Sequence, residues 1–303
     1  DTLPCHLGVR FGPTLDETLD IFPAADRNAP ILVFIHGGYW RLLTSSEFDF
    51  VATGPVQRGM TVVVTNYSLC PKVTISEITR QSRAALAWLA NTELEFNGDR
   101  ERIYVSGHSA GGQQTARLLA TDWAGDYGLP TDIIKGGIAI SGLFDLRPLR
   151  YSFVQPKLLL THDVIERESP QFHIPESAPP LLVSVGGDEP GEFRRQSHDF
   201  HAAWTAAGLD GGYWEQAGSN HGRTGSGGSI HGRGGTPRPA ARCRARAATL
   251  HRTRQNTSHR SRRTAASCRV PLRGGRSSLP GRKLPAHRRH PRPRCQPTDR
   301  RAA

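Results

Sequence analysis

The sequence IYVSGHSAGG, residues 103–112, places a serine among small residues immediately after a short apolar run. Residues 103–106 predict a buried strand, and residues 111–121 predict a helix that begins at once. Ser109 and its neighbours match the spacing G-x-S-x-G, in which small flanking residues permit a sharp strand-to-helix turn. Such a turn pushes the Ser109 hydroxyl out of the sheet, and the N–H of Ala110 points into the same space. We therefore interpret Ser109 as a nucleophile; the alternative is an incidental serine in a glycine-rich turn.

Strand-like and helix-like segments alternate over residues 5–221. Short runs rich in β-branched residues each end beside Gly, Asn or Ser and predict buried strands at residues 31–35, 61–65, 138–140 and 181–185. Helical periodicity starts near Ser76 and returns over residues 192–207, whereas residues 6–10 and 17–22 alternate as a hairpin does. The pattern predicts an α/β domain with a mostly parallel central sheet flanked by helices.

Charge is distributed unevenly along the 303 residues, whose net charge is +12. Residues 222–303 hold 22 basic residues and one acid, Asp299, with no Phe, Trp, Tyr or Met and six Val, Ile and Leu. This composition cannot bury enough apolar surface to offset chain entropy, so a second globular domain is excluded. We interpret residues 222–303 as a disordered Arg-rich tail produced by out-of-frame translation. The alternatives are a genuine disordered tail and a nucleic-acid-binding arm.

A second glycine-rich segment, HGGYW at residues 36–40, follows the strand at residues 31–35. A serine elbow needs another backbone N–H donor from an earlier strand-end loop. The candidates for an oxyanion hole are Gly37, Gly38, Tyr39 and Ala110. We expect His36 to fix this loop through hydrogen bonds and not to act as the base. Trp40 and His108 are candidates for the substrate pocket; for Tyr39 and Trp40 the alternative is a place in the core.

A nucleophilic elbow also requires an acid and a histidine, in the chain order Ser, acid, His. Asp188 follows the strand at residues 181–185, and catalytic groups gather at the carboxyl ends of strands in such sheets. We therefore choose Asp188 as the acid, with Asp145 as the competitor and Glu189 as a less favoured candidate. His221 follows the loop after the last predicted strand, at residues 213–216, and is chosen as the base. The histidines expected on a solvated helix face are His198 and His201.

The segments HGGYWR, GHSAGG, NYSLCPKVTI, GGDE and GSNHG together resemble the kynurenine formamidase (arylformamidase) branch of the α/β-hydrolase superfamily, which is close to carboxylesterases with an HGG loop. The resemblance covers about residues 5–221. It implies a serine hydrolase for a small carboxylic ester or aryl formamide, with N-formyl-kynurenine as one plausible substrate. It also implies a triad of Ser109, Asp188 and His221, with the oxyanion hole formed by residues 37–39 and Ala110.

The resemblance ends one residue beyond His221, where Gly222 and Arg223 replace the apolar residue and final helix of the family. We therefore expect the tail to replace that helix, and an exposed apolar patch on the sheet as a result. Because residue 1 is not Met, we also expect a missing N-terminal piece. The rival readings are a damaged, inactive hydrolase and, less favoured, a nucleic-acid-binding protein that uses the basic tail.

Cofactor and partner signals are sparse. The sequence has no metal signature and no phosphate-binding glycine loop, so we expect no cofactor. No apolar run approaches a membrane span, and we expect no signal peptide. Five cysteines without CxxC spacing favour a reduced, cytoplasmic setting. The expected partner is a small-molecule ester or formamide, with no specific nucleic acid and no membrane; the oligomeric state is left open.

Overall fold

The computed structural model describes residues 3–224 and a two-residue strand further along the chain. The interpretations of the tail as disordered or out of frame lie mostly outside the described residues. The strands are β1 (Pro4–Arg10), β2 (Thr18–Phe22), β3 (Pro30–Ile35), β4 (Thr61–Thr65), β5 (Asp99–His108), β6 (Ile134–Ile140), β7 (Leu181–Gly186), β8 (Gly211–Gln216) and β9 (Arg244–Ala245).

Helices connect the strands of this sheet. The α-helices are α1 (Thr53–Gln57), α2 (Ile75–Asn91), α3 (Ala110–Leu119), α4 (Trp123–Tyr127), α5 (Gln155–Leu158), α6 (His162–Glu168), α7 (Gly191–Ala206) and α8 (His221–Thr224). Short 3-10 helices occupy Ser45–Ala52, Arg147–Tyr151 and Pro170–Phe172. Helix α2 begins where sequence periodicity predicts it, because the Thr74 hydroxyl accepts the backbone N–H of Glu77 as an N-cap.

The strands form one sheet in the order β8-β7-β6-β5-β3-β4-β2-β1-β9. Strands β3 to β8 are parallel to one another, whereas β2 pairs antiparallel with both β1 and β4. The expected α/β architecture with a mostly parallel sheet is therefore confirmed. The order also brings the carboxyl ends of β3, β5, β6 and β7 to one edge, where the elbow and its candidate partners lie.

One face of the sheet is covered along its length by helices. Val33 on β3, Val105 on β5 and Val183 on β7 are fully buried in the main core, which includes residues of α2, α3 and α7. Trp204 of α7 packs against Gly211 at the start of β8, and its indole N–H donates to the Asp210 carbonyl. The buried positions recur at every second residue, as expected for strands that present one face to a helix layer.

The other face of the sheet is only half covered. Over β3 and β4, Phe34 and Val64 pack beneath the 3-10 helix Ser45–Ala52 in a second, smaller core. Over β5, β6 and β8, Tyr104, Ile138 and Trp214 are 36, 38 and 52% exposed. Tyr104 and Ile138 line a groove of about 690 Å³, which Pro55 of α1 also borders. The apolar patch expected from the sequence is thus present on the part of the chain that the structure describes.

The described residues contain no helix long and apolar enough to cross a membrane. Cys70 is a free, buried cysteine whose pKa is raised by burial to about 11.

Candidate active site

Ser109 lies on the sharp turn between β5 and α3 that its sequence predicts. Its backbone has φ +59° and ψ −115°, a strained conformation for a residue with a side chain. Its N–H donates to the Ile140 carbonyl at 2.8 Å, which ties the turn to β6. A Cβ atom on Gly107 would collide with the Gly111 carbonyl, and one on Gly111 would collide with the Ile35 carbonyl. The glycines of the motif are therefore required by backbone contacts on both sides of the serine.

His221 connects Ser109 to a carboxylate. Its Nε2 lies 3.0 Å from the Ser109 hydroxyl oxygen, and its Nδ1 lies 2.6 Å from Oε2 of Glu189. An ionised carboxylate only accepts, so Nδ1–H donates to Glu189 and Nε2 accepts the hydroxyl proton of Ser109. The structure thus brings together two of the three residues chosen from the sequence, Ser109 and His221. Residues 112 positions apart thus lie within hydrogen-bonding reach.

The acid partner differs from the one chosen on sequence. Asp188 is exposed, its backbone N–H donates to the Ser219 carbonyl, and no described hydrogen bond joins its side chain to His221. The placement of Asp188 against His221 is therefore wrong, and Glu189 holds that position. The cause is the tight turn after β7, in which the Glu189 N–H donates to the Gly186 carbonyl and the Gly186 N–H donates to Oε1 of Glu189. This turn directs residue 189 into the site and residue 188 towards solvent.

The sequence competitor Asp145 lies in a different ion pair. Its carboxylate accepts hydrogen bonds from the backbone N–H, Nε and Nη2 of Arg147, and Nη2 lies 2.7 Å from Oδ2. Burial would raise the pKa of Asp145, but Arg147 holds it below its ordinary value. His198 and His201 lie on α7 as expected, with His198 on the exposed side and His201 half-buried.

Glu189 is almost fully buried and surrounded by donors. Its Oε1 accepts from the Ser141 hydroxyl at 2.5 Å, the Gly186 N–H at 2.8 Å and the Thr224 hydroxyl at 3.2 Å. Burial would raise the pKa of this carboxyl, but the hydrogen bonds from His221, Ser141 and Gly186 hold it below the usual range. The carboxylate therefore stays ionised opposite His221.

The HGGYW loop packs directly against the serine turn. A Cβ atom on Gly37 would lie 2.9 Å from the His108 carbonyl oxygen and 3.1 Å from the Ser109 Cβ. Gly38 has φ +113°, and Tyr39 and Trp40 follow with φ +51° and +56°. Three successive residues with positive φ turn the backbone away from an extended path. The largest of these angles is at Gly38, where the absence of a side chain permits it. The loop thus lies close to Ser109, while the oxyanion-hole roles of residues 37–39 and Ala110 remain predictions.

His36 occupies the position expected of a residue that fixes this loop. Its ring is buried, stacks on Tyr67 with centroids 4.1 Å apart, and Nδ1 lies 2.7 Å from the Gly37 carbonyl oxygen. Burial lowers its pKa to about 4, so the ring is neutral at physiological pH. The hydroxyl of Tyr67 donates to the His36 carbonyl, which fastens the loop from below.

The two candidate pocket residues, Trp40 and His108, lie in different environments in the structure. Trp40 is fully buried and its indole N–H donates to Oε1 of Gln113, so it belongs to the core and its assignment to the pocket is wrong. His108 is nearly buried, with its ring centroid 4.6 Å from that of His221. Burial, with a smaller effect from His221, lowers the pKa of His108 to about 4. The place of His108 in the pocket stays a prediction.

Sequence reasoning missed Ser141 and ranked Glu189 too low. The signal for Glu189 was its position in the same GGDE turn as Asp188, but the direction of each side chain depends on the turn and not on residue type. Ser141 closes a strand in the segment IAISG, which carries no motif of its own. Within residues 3–224 no group of three His, Cys, Asp or Glu side chains is arranged to hold a metal ion.

The comparisons with known proteins agree with this architecture. A family model described as the alpha/beta hydrolase fold matches residues 32–224. Kynurenine formamidase of Danio rerio is 31% identical over 210 residues, which are 67% of this chain and 70% of that protein. Esterase LipQ of Mycobacterium tuberculosis is 27% identical over 221 residues, 66% of this chain and 52% of that protein. A proposed thioesterase from Silicibacter sp. has a TM-score of 0.63 and 29% identity, and the match covers 73% of this chain and 79% of that one.

The fold, together with these relatives, defines the protein as a hydrolase. The chain belongs to the alpha/beta hydrolase fold family, and the resemblance to kynurenine formamidases and esterases stated from its motifs is confirmed.

Proposed function

We propose that the protein is a serine hydrolase that cleaves a small carboxylic ester or aryl formamide. The observation that carries the proposal is the continuous chain of hydrogen bonds from Ser109 through His221 to Glu189, with atoms 3.0 and 2.6 Å apart. This is the arrangement that activates a serine hydroxyl, which is a weak nucleophile at its own pKa.

The reaction follows from the position of each group. Nε2 of His221 takes the hydroxyl proton as the Ser109 oxygen bonds to the substrate carbonyl carbon, and Glu189 stabilises the resulting imidazolium. Backbone N–H groups of the HGGYW loop and Ala110 stabilise the oxyanion, each contributing about 3 kcal/mol to the transition state. His221 then protonates the leaving alcohol or amine, which departs and leaves an acyl or formyl ester on Ser109. Water attacks this ester with His221 as base and releases the acid and Ser109.

The substrate class draws on the relatives. The Danio rerio protein is a kynurenine formamidase and the Mycobacterium tuberculosis protein an esterase. The two activities share the same carbonyl chemistry and differ in the leaving group. We therefore test purified protein on N-formyl-kynurenine and p-nitrophenyl acetate in parallel. Hydrolysis of at least one supports the proposal; hydrolysis of neither contradicts it.

A fluorophosphonate probe tests the nucleophile directly. We expect a covalent adduct on the peptide that contains Ser109, detected by mass spectrometry, and no adduct in Ser109→Ala. The matched control is Ser106→Ala, at a buried serine of β5 just before the motif, which should still label. Labelling elsewhere, or labelling that survives Ser109→Ala, would remove Ser109 from the mechanism.

A folded but inactive hydrolase is the second candidate, and the half-covered sheet face favours it. This proposal includes translation of residues 222–303 out of frame. In the frame as given, these residues contain few apolar side chains that could pack over the exposed Tyr104, Ile138 and Trp214. Translation of the gene in its other two frames from codon 222 tests this. An apolar pattern of helical period in one of them supports the proposal; its absence from both contradicts it. A folded chain that resists the fluorophosphonate probe would establish the inactive form.

A further inference from the structure

Ser141 lies between the two halves of the candidate site. It follows β6 directly, and β6 is flanked in the sheet by β5, which carries Ser109, and by β7, which leads to Glu189. Its side chain is fully buried, and its backbone N–H donates to the Ser184 carbonyl of β7 at 2.7 Å. Both its main chain and its side chain are therefore bonded to the segment that carries the acid.

The backbone of Ser141 has φ +49°, in the left-handed region that residues with a side chain rarely occupy. Neither Gly nor Asn, the residues that adopt this region most easily, stands at the position. A strained conformation persists where surrounding contacts determine it, and such residues concentrate at functional sites. Here the residue places its hydroxyl oxygen 2.5 Å from Oε1 of Glu189.

The two oxygens of Glu189 have different partners. Oε2 receives the hydrogen bond from His221, whereas Oε1 receives those of Ser141, the Gly186 N–H and the Thr224 hydroxyl. The Gly186 donor comes from the backbone of the same turn and cannot by itself fix the side-chain rotation. When hydrogen bonds hold one oxygen of a carboxylate, the other oxygen keeps a fixed direction. Hydrogen-bond partners orient metal-ligating side chains in the same way.

We propose that Ser141 is a positioning residue, whose hydroxyl holds the Glu189 carboxylate so that its other oxygen faces His221. The inference rests on the proposed hydrolase function, because it assigns Ser141 a part in the same relay. The titratable groups that act on or around this carboxylate are His221, His108 of β5 and Tyr39 of the HGGYW loop.

The first test measures steady-state hydrolysis by full-length Ser141→Ala and Ser141→Gly. Both remove the hydroxyl, but glycine also relieves the left-handed backbone. We expect kcat to fall roughly 10-fold in both with KM changed less than 2-fold, because orientation and not substrate binding is lost. The acid limb of the kcat/KM profile should move to higher pH, since a carboxylate that loses a donor holds protons more strongly. Glycine restoring full activity would assign the effect to backbone strain and overturn the proposal.

A double-mutant cycle separates positioning from simple structural support. In a Glu189→Gln background, Ser141→Ala should change kcat less than 2-fold, because the ionised acceptor is already gone. A full 10-fold loss in that background would overturn the proposal. Ser184→Ala is the matched control: it removes another buried serine hydroxyl, on β7, which accepts from Gln216, and it leaves in place the Ser184 carbonyl that accepts from Ser141. It should leave kcat unchanged.

The NMR signal of the His221 Nδ1 proton distinguishes failure of this inference from failure of the proposed function, because this proton reports the hydrogen bond to Glu189. Ser141→Ala should shift or broaden this signal whether or not the substrates tested are hydrolysed. A wild-type protein that hydrolyses neither substrate contradicts the proposed function. An unchanged signal, with the fold retained, contradicts the role of Ser141 alone.

Discussion

The serine turn after β5 and the acid turn after β7 end at the same edge of one sheet, yet they are specified in different ways. At the serine turn, Gly107 and Gly111 face backbone atoms that leave no room for a side chain. At the acid turn, Asp188 and Glu189 are adjacent carboxylates, and the turn decides which of them points inward. Steric contacts fix the first turn and leave a signature of small residues in the sequence. At the second, backbone hydrogen bonds of the turn set the direction of each side chain, and residue type does not reveal that direction.

The largest effect should come from the nucleophile at the serine turn. Ser109→Ala should lower kcat/KM for p-nitrophenyl acetate and for N-formyl-kynurenine by about 10⁴-fold or more, because it removes the hydroxyl that lies 3.0 Å from Nε2 of His221. Steady-state assays with a matched thermal melt check this, since the small side chain should leave the fold intact. A loss smaller than 10-fold would show that Ser109 is not the nucleophile.

Steric control at the same turn predicts a large effect on stability. Gly111→Ala places a methyl group against the Ile35 carbonyl of β3, so we expect the free energy of unfolding to fall by about 3 kcal/mol or more. Gly191→Ala is the control, because a Cβ atom there meets nothing within 4 Å and the backbone is not left-handed. Chemical denaturation of both variants measures the difference. Equal stabilities would refute the steric account of the elbow.

Buried histidines near the serine turn predict how stability depends on pH. The ordinary pKa of a histidine is 6.5, and burial lowers the pKa of both His36 and His108 to about 4. Between these values the unfolded chain binds protons that the folded chain does not, so stability falls as pH falls, by up to about 1.4 kcal/mol per pH unit for each ring. The lowered pKa of Glu189 acts in the same direction only at more acidic pH, below the ordinary glutamate value of 4.5.

Urea denaturation at pH 7, 6 and 5 measures this slope. His108→Gln should reduce it by about half, whereas the exposed His198→Gln should leave it unchanged. A slope of zero, or stability that rises as pH falls, would contradict the burial of neutral imidazoles beside the serine turn.

The contrast between the two turns also explains how much the sequence could predict. Apolar runs and the G-x-S-x-G spacing predict the α/β sheet and the elbow, because these depend on periodicity and local sterics. The chain order Ser, acid, His and the loop after the last strand indicate His221, which the structure brings to Ser109. The choice between Asp188 and Glu189 was wrong because both follow the same strand and differ by one step in a turn. Trp40 was ambiguous for a related reason: an aromatic residue after a glycine loop fits a core as well as a pocket. Ser141 carried no signal, because its role depends on contacts between separate strands.

The central claim is that Glu189, and not its neighbour Asp188, supports His221. Steady-state kinetics of Glu189→Gln and Asp188→Asn test it most directly, because each variant removes one charge at nearly constant volume. The structure predicts that Glu189→Gln lowers kcat/KM by about 10²–10⁴-fold, while Asp188→Asn, at an exposed side chain, changes it less than 2-fold. A large loss in Asp188→Asn with a nearly unchanged Glu189→Gln would contradict this account of the site.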